Sequence, residues 1–344
     1  MLEAMAVNDL ESPQVLAAGT GDAAQARWTD SAYADPVFVL APPCTFSWAL
    51  CAMLGEHPQL YALPELHLFL AETLSEWWEI CARESYEMDH GLVRTIAMLY
   101  FGEQTEETAT RARGWLRRRG HFTSGFLLEE LARRLHPLIP IEKSPSIVYR
   151  ADFLQRALAM FPNARFLHLV SHPATFAASV VEALSVLEKH QALPSTHWLR
   201  RLACPVESDS AASGDCLDPQ RSWYALHLKI SQFMETVPEE QRMTLRGEDL
   251  LDPSNSGFLQ VVAWLGLRAD AEALGQMRHP ERSPFAGYGP KNARFGNDMF
   301  VVPGPMLRAC WYEPRSLEGP LAWRPDEQPF EPEVKELAQR FGYR

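Results

Sequence analysis

The sequence has few lysines, no cysteine pair of the C-x-x-C type and no apolar run long enough to cross a membrane. Only five of its 32 basic residues are Lys, and 44 acidic residues give a net charge of −12. Non-specific binding to nucleic acid or to an anionic membrane needs positive surface. We therefore expect neither a nucleic-acid partner nor membrane association, although the balance leaves room for a local basic pocket.

The six cysteines show neither the regular spacing of a disulfide framework nor that of a zinc site. This usage is typical of reduced thiols in a cytoplasmic protein, and we expect no metal. The first residues, "MLEAMAVNDLESPQ", lack both the basic and the long apolar stretch of a secretion signal. The sequence thus predicts a cytoplasmic protein.

At 344 residues and 47% hydrophobic content, the chain is long and apolar enough to bury a large core. Residues 1–34 have weak periodicity and are predicted to be a flexible lead-in. Residues 35–344 are predicted to form a single domain. Within it, apolar stripes at helical spacing predict a helical cap over about 66–135, and a small, polar stretch at about 204–219 predicts a lid or surface loop.

Repeated strand–turn–helix patterns predict an α/β fold, with a central parallel β-sheet flanked by helices. Val37–Leu40 is a short apolar run typical of a buried parallel strand, and Ser47–Glu56 follows it with helical spacing. Phe166–Val170 is the clearest second strand and also leads into a helical pattern. A further strand is predicted at Ser146–Tyr149 or just before it, and "RMTLRGEDLLDP" predicts a strand followed by a helix start.

The turn after the first strand, "APPCTFS", contains no Gly, Lys or Arg. A strand–turn–helix of this kind points main-chain N–H groups of the helix start at one place, and such groups bind anions. A P-loop kinase is disfavoured because the pattern G-x-x-x-x-G-K-[ST] is missing. The turn is therefore predicted to bind an anion through its backbone, Thr45 and Ser47.

The order of several motifs resembles the sulfotransferase family, which uses 3′-phosphoadenosine-5′-phosphosulfate (PAPS), and in particular its bacterial branch with an "APPRS" loop. The resemblance runs from Val37 to the C-terminus, about nine-tenths of the chain. Its motifs are "LAPP", "CAMLGEHPQLYALPE", "EKSPS", "FPNARFLHLVSHP", "RGEDLLDP" and "ERSPFAGYGPKNARFGND". The resemblance implies a P-loop-like sulfotransferase fold and a transferase activity with PAPS as sulfuryl donor.

The resemblance also implies two contacts for PAPS. The 5′-phosphosulfate end would lie in the first loop, formed by Pro43, Cys44, Thr45, Phe46 and Ser47. The 3′-phosphate would be bound by an Arg and, eight positions later, a Ser. Ser179 matches that Ser, but Ser171 stands at the Arg position, and Cys44 stands where the first loop has a basic residue.

Loss of two charged hydrogen bonds would cost roughly 3–6 kcal/mol of nucleotide binding, or about 10²- to 10⁴-fold in affinity. Lys291 and Arg294 in "GPKNARFG" are the candidates to replace the missing groups, because the resemblance places this loop near the nucleotide. The alternative is that both are solvated surface charges. Cys44 itself is either a thiolate nucleophile at a helix start or a small apolar filler.

Three residues are candidates for the chemistry. Glu65 stands where several branches of the family place the base that takes the proton of the acceptor hydroxyl; the alternative is a carboxylate favoured by a helix dipole after Pro64. Lys143 would balance charge on the leaving oxygen, or would merely pair with Glu142. His67 is a second base or an orienting group, although a lone His is more often structural. Ser144 and Ser146 would line the same pocket or cap a helix.

The sequence thus favours transfer of a sulfuryl group to a hydroxyl of a small-molecule or carrier-protein-bound metabolite, with no metal. Two alternatives stay open. The double departure at Cys44 and Ser171 fits a repurposed, PAPS-independent enzyme of specialised metabolism that performs dehydration, cyclisation or acyl transfer. The chain could also be a non-catalytic homologue that keeps only the fold. A homodimer is left open as well.

Overall fold

The structure is a computed structural model that describes residues 33–45, 47–83, 88–190, 218–250, 256–296, 316–324 and 326–344. The side chains of residues 185–190 are not part of the description. Phe46 and nearly all of the predicted lead-in and lid lie outside these residues.

The centre of the fold is a five-stranded sheet in which every pairing is parallel. In chain order its strands are Val37–Leu40 (β1), Leu60–Ala62 (β2), Ile139–Glu142 (β3), Arg165–Val170 (β4) and Arg242–Arg246 (β5). Their spatial order is β2-β3-β1-β4-β5, so the first strand lies in the middle. Because all strands are parallel, their carboxyl ends meet at one edge, which is where sites form in α/β sheets.

Helices cover both faces of this sheet. Twelve α-helices lie in the described part of the chain: Ser47–Gly55 (α1), Leu74–Arg83 (α2), His90–Phe101 (α3), Glu106–Arg117 (α4), Ser124–Leu135 (α5), Ala151–Met160 (α6), Pro173–His190 (α7), Pro219–Met234 (α8), Gly247–Leu250 (α9), Ser256–Leu265 (α10), Ala271–Gln276 (α11) and Pro332–Arg340 (α12). The predicted α/β class with a parallel sheet is confirmed. Helices α2–α5 occupy the stretch predicted as a helical cap.

The alternation of side chains along β1 separates two hydrophobic clusters. Phe38 and Leu40 point into the cluster formed with the cap helices, α6 and α8, whereas Val37 and Val39 point into the cluster formed with α1 and α10. All four side chains are buried. This burial on both faces explains why the strand is apolar throughout instead of alternating.

The third strand differs from one of the two predicted positions. The strand is Ile139–Glu142, just before Ser146–Tyr149, while Pro145–Tyr149 forms a 3₁₀ turn. Pro145 has no N–H for a ladder and a fixed φ, which suits the first position of a helical turn. The prediction of a strand at Ser146–Tyr149 itself was wrong, and the alternative just before it is correct.

A pair of buried histidines connects β4 to α8 and predicts acid sensitivity. His168 Nε2 lies 2.8 Å from His227 Nδ1, and both rings are fully buried. Burial lowers the pKa of His168 to about 3 and that of His227 well below its usual range. Both rings are therefore neutral in the folded protein, whereas unfolded histidines titrate near pH 6.5.

Below about pH 6.5 the two histidines bind protons in the unfolded chain but not in the folded protein. The free energy of unfolding should therefore fall as the pH drops below about 6.5. The two histidines together should add up to about 2.7 kcal/mol per pH unit to the slope of this loss between roughly pH 6 and 4. In His227→Leu, urea unfolding at several pH values should show about half of that extra slope. His121→Gln, which alters an exposed ring, is the control. An unchanged slope in His227→Leu would contradict the prediction.

Candidate active site

The turn after β1 leads into the buried start of α1. The chain leaves the sheet at Leu40, and Thr45 Oγ1 closes the turn by donating a hydrogen bond to Pro42 O at 2.6 Å. Cys44 has a left-handed backbone with φ of 60°, which sharpens the turn. Thr45 and Ser47 are both buried. The N-terminus of α1 therefore lies at the carboxyl edge of the sheet. The first N–H groups of a helix at such a position are suited to bind an anion.

Glu65 and Lys143 form a buried ion pair at the same edge. Glu65 lies three residues after β2, and Lys143 directly follows β3, which pairs with β2. Lys143 Nζ donates to Glu65 Oε1, and the two residues are only 3% and 7% exposed. The two predicted catalytic residues, 78 positions apart, are therefore in direct contact. The charge of Lys143 also lowers the pKa of its sequence neighbour Glu142, so Lys143 acts on both carboxyl groups.

His67 completes this cluster. Its Nε2 lies 3.5 Å from Glu65 Oε2, and its Nδ1 lies 2.8 Å from Ser146 Oγ. Its backbone is left-handed, with φ of 53°. The backbone N–H donates to Ser144 Oγ at 2.8 Å, and the carbonyl accepts from Trp77 Nε1 at 3.1 Å. Two of these contacts hold the ring of His67 and two hold its backbone. This arrangement suits a residue that orients Glu65.

The charges of the cluster are set by burial and by the ion pair. Burial disfavours the ionised form of Glu65, but Lys143 and His67 outweigh it and lower the pKa of Glu65 to about 2. Glu65 is therefore ionised at neutral pH but is a weak base for as long as Lys143 holds it. Glu65 takes up a proton readily only when the Lys143 ammonium moves away from it, for example toward a leaving oxygen.

Glu142, the last residue of β3, is a buried carboxyl that the sequence reasoning did not place in the site. Burial raises the pKa of Glu142 to about 7. Its Oε1 accepts a hydrogen bond from Ser144 Oγ, and its Oε2 has no hydrogen-bond partner within the described residues. The sequence feature that indicates Glu142 is its position, because it is an acidic residue at the end of a strand directly before Lys143.

Cys51 lies on α1, which begins at the same edge of the sheet as the ion pair, because Lys143 directly follows β3 and β3 pairs with β1. This thiol is one helical turn beyond Ser47, and its pKa is raised to about 12, mainly by burial. The charge of Lys143 lowers this pKa, whereas the charges of Glu142 and Glu65 raise it. The turn before α1 and the carboxylate cluster both lie at the carboxyl edge of the sheet.

A row of hydroxyl groups follows β4. Ser171 Oγ and Thr175 Oγ1 are buried and have no hydrogen-bond partner in the part of the chain that the structure describes. Ser179 is half-buried one turn further along α7, on the same helix face as Thr175. Ser171 also accepts a hydrogen bond at its carbonyl from Trp223 Nε1, at 2.8 Å. Unpaired buried hydroxyls are costly, so this row is suited to hydrogen-bond an anionic ligand.

Lys291 and Arg294 lie on the side of the helical cap. Asn292, between them, donates to Glu106 O on α4 at 2.9 Å, and the Arg294 guanidinium lies 4.5 Å from the ring centre of Tyr288. Among the described contacts, none joins either cation to Ser171 or Ser179. Their role as replacement phosphate ligands stays a prediction.

The described part of the chain contains neither a cluster typical of a metal site nor a helix typical of a membrane span. In the described ranges, no cluster of three or more His, Cys, Asp or Glu side chains has the arrangement of a metal site. Within the same ranges, none of the helices has the length and apolar character of a membrane span.

The family model of the sulfotransferase family matches residues 36–271, which is more than half of the chain. The chain belongs to the sulfotransferase family. The solved structures similar to it include the sulfotransferase domain from the curacin biosynthetic pathway, with 19% identity and a TM-score of 0.65 over 90% of this chain and 98% of that domain. The sulfotransferase domain of the Synechococcus PCC 7002 olefin synthase has 22% identity and a TM-score of 0.61, over 92% and 98%. No curated protein matches this sulfotransferase-family chain. At these identities the structural matches establish the shared fold.

Proposed function

We propose that this chain transfers a sulfuryl group from PAPS to a hydroxyl of a small-molecule or carrier-protein-bound metabolite. The observation that carries the proposal is the buried Glu65–Lys143 ion pair, which lies with His67 at the same edge of the sheet as the turn before α1. A carboxylate, a mobile cation and a helix start are the three groups that sulfuryl transfer to an alcohol needs. Of the two similar domains named above, one comes from the curacin biosynthetic pathway and the other from an olefin synthase, which supports a metabolite as acceptor.

Glu65 acts as the base. It receives the proton of the acceptor hydroxyl as the hydroxyl oxygen forms a bond to sulfur and the bond from sulfur to the bridging phosphate oxygen breaks. PAPS supplies the sulfuryl group and leaves as the 3′,5′-bisphosphate. Protonation of Glu65 removes its attraction for Lys143, so the ammonium interacts more strongly with the negative charge that grows on the leaving oxygen. His67 keeps Glu65 oriented through this exchange.

The residues around the donor site fit an anion, although less strongly than an arginine pair would. Ser171 and Thr175 offer buried hydroxyls without partners in the described structure, and α1 offers its first N–H groups. Because Cys44 and Ser171 stand at the two positions where an Arg is expected, nucleotide binding should be weakened.

Ser171→Arg and Cys44→Arg, made separately, are each expected to tighten binding of adenosine 3′,5′-bisphosphate about 10- to 100-fold.

Calorimetry with millimolar adenosine 3′,5′-bisphosphate tests this proposal, together with product analysis on PAPS and hydroxyl acceptors. Ser316→Arg adds the same charge at an exposed position and should leave the affinity unchanged within about twofold. Cys44→Arg is informative if the buried Ser171→Arg variant fails to fold. Absence of nucleotide binding by the wild type and by both variants would overturn the use of PAPS.

A PAPS-independent activity is the second candidate, because Cys44 and Ser171 occupy both expected Arg positions. The buried cluster of Glu65, His67 and Lys143 would then perform dehydration, cyclisation or acyl transfer. Under this alternative, the Arg variants gain no activity or lose it. A non-catalytic homologue would instead be unaffected in its biological role by Glu65→Gln.

A further inference from the structure

Glu142 lies on the face of the sheet that packs against the helical cap. It is paired in register with Phe38 of β1 and is 1% exposed. In this apolar setting a carboxyl group is costly, and its Oε2 has no hydrogen-bond partner among the described residues. An apolar side chain at this position would pack against Phe38 without that cost. The carboxyl therefore calls for an explanation other than stability.

The single described partner of the Glu142 side chain points to that explanation. Ser144 Oγ donates its hydrogen bond to Glu142 Oε1 and accepts one from the backbone N–H of His67. The Ser144 hydroxyl has only one proton, so an acceptor at Glu142 fixes its rotation and leaves its lone pairs toward His67. When Glu142 is ionised, the bond is charge-assisted and stronger than one to a neutral acceptor.

The backbone of His67 needs such support. Its φ of 53° is uncommon for a residue with a Cβ, and this conformation decides how Nε2 approaches Glu65 Oε2. Ser146 fixes the other ring nitrogen, but it does not fix the backbone. The backbone is held at its carbonyl by Trp77 Nε1 and at its N–H by Ser144.

We propose that Glu142 and Ser144 are a positioning pair, which aligns His67, and through it Glu65, by fixing the left-handed backbone of His67. The pair does not touch the reacting atoms. For its kinetic consequence this inference rests on the proposed function, whereas its structural part concerns the resting protein. The chain thereby has a carboxyl group whose position in the core lowers stability and improves alignment.

The decisive comparison is between Glu142→Leu and Glu142→Gln. Leu removes the acceptor and fills the apolar space, so kcat should fall about 10- to 100-fold with KM within about twofold, while the midpoint of urea unfolding stays the same or rises. Gln keeps a carbonyl acceptor for Ser144 and should retain most of the wild-type kcat. Ser144→Ala breaks the same link from its other end and serves if the Leu variant does not fold.

Non-additivity tests whether the two residues act as a unit. The double variant Glu142→Leu/Ser144→Ala should lose no more kcat than the worse single variant. Ser231→Ala is the matched control, because Ser231 Oγ donates to a helix carbonyl on α8, at 2.8 Å from His227 O, and takes no part in the cluster. Its kcat should equal that of the wild type.

The resting protein gives a readout that needs no turnover. In protein labelled with ¹⁵N-histidine, the His67 ring signals, assigned by their loss in His67→Gln, should shift in Glu142→Leu and Ser144→Ala and stay near wild type in Glu142→Gln. The exposed His121 should not change in any variant. Unshifted His67 signals in Glu142→Leu, or equal shifts in Glu142→Gln and Glu142→Leu, would overturn the positioning pair. A wild type without sulfuryl transfer but with the expected shifts would overturn only the proposed function.

Discussion

Lys143→Met is expected to lower the free energy of unfolding by about 3–5 kcal/mol at neutral pH, because it leaves Glu65 as a buried carboxylate without its cation. Met keeps the length and the apolar character of the lysine stem, so the lost charge is the main change. Chemical denaturation followed by circular dichroism measures the effect. A loss below about 1 kcal/mol would show that water reaches Glu65 and that the ion pair is not buried in solution.

The pH dependence of this loss has a defined sign. In the wild type the pKa of Glu65 is depressed to about 2, so its contribution to stability is present above the unfolded value of 4.5 and is lost as the pH falls toward 2. In Lys143→Met, burial acts without the cation and favours the protonated acid. The difference between the two proteins should therefore be largest at neutral pH and should narrow as the pH falls toward 3.

Two further variants separate the ion pair from other effects. Glu65→Gln/Lys143→Met removes both charges and should recover most of the lost stability while remaining inactive. Arg133→Met breaks the exposed Arg133–Glu129 pair on α5 and should cost less than about 1 kcal/mol. A double variant as unstable as Lys143→Met would assign the loss to packing and not to charge.

The sheet was largely predictable because its central strands carry a strong local signal. Val37–Leu40 was predicted with its observed bounds, and Phe166–Val170 was one residue shorter than β4. Val37–Leu40 is apolar throughout, and Phe166–Val170 is apolar except for His168, as suits strands buried on two faces. The three-residue strand Leu60–Ala62 was not predicted, because so short a stretch has no periodicity of its own and is defined by pairing with β3.

The candidate site was predictable in its residue types but not in its connections. Glu65, His67 and Lys143 meet because parallel strands end at one edge, a consequence of the predicted fold. No local pattern could show that Lys143 pairs with Glu65 and that its neighbour Glu142 turns to the opposite face with Ser144. The two neighbours have different partners because side chains alternate between the faces at the end of β3. The sequence did not define where β3 begins and ends.

Close backbone packing around Glu65 is another feature that only the structure reveals. Gly91, at the start of α3, lies directly against Glu65, so that a Cβ at Gly91 would overlap the carbonyl oxygen of Glu65 and lie 2.8 Å from its carbonyl carbon. On the other side, Glu65 N–H donates to Gly296 O at 2.6 Å, and Gly296, with φ of +111°, itself packs against Gly91. Glu65 is thus held between two glycines that belong to distant parts of the chain.

Gly91→Ala is therefore expected to displace Glu65 and to reduce kcat by about 10²-fold or more, because a shift of about 1 Å at a catalytic group can have that effect. The overlapping atoms are backbone on both sides and cannot rotate away, so the variant should also lose about 1–3 kcal/mol of stability. Steady-state kinetics and chemical denaturation measure the two effects.

Gly275→Ala provides the matched control. Gly275 lies in α11, and a Cβ there would have no atom within 4 Å. The same substitution should leave kcat unchanged and should stabilise the protein by up to about 1 kcal/mol, since Ala loses less conformational entropy in a helix than Gly does. If Gly91→Ala kept wild-type kcat and stability, α3 would have room to move away from Glu65, and the rigid placement of the base against the cap would be wrong.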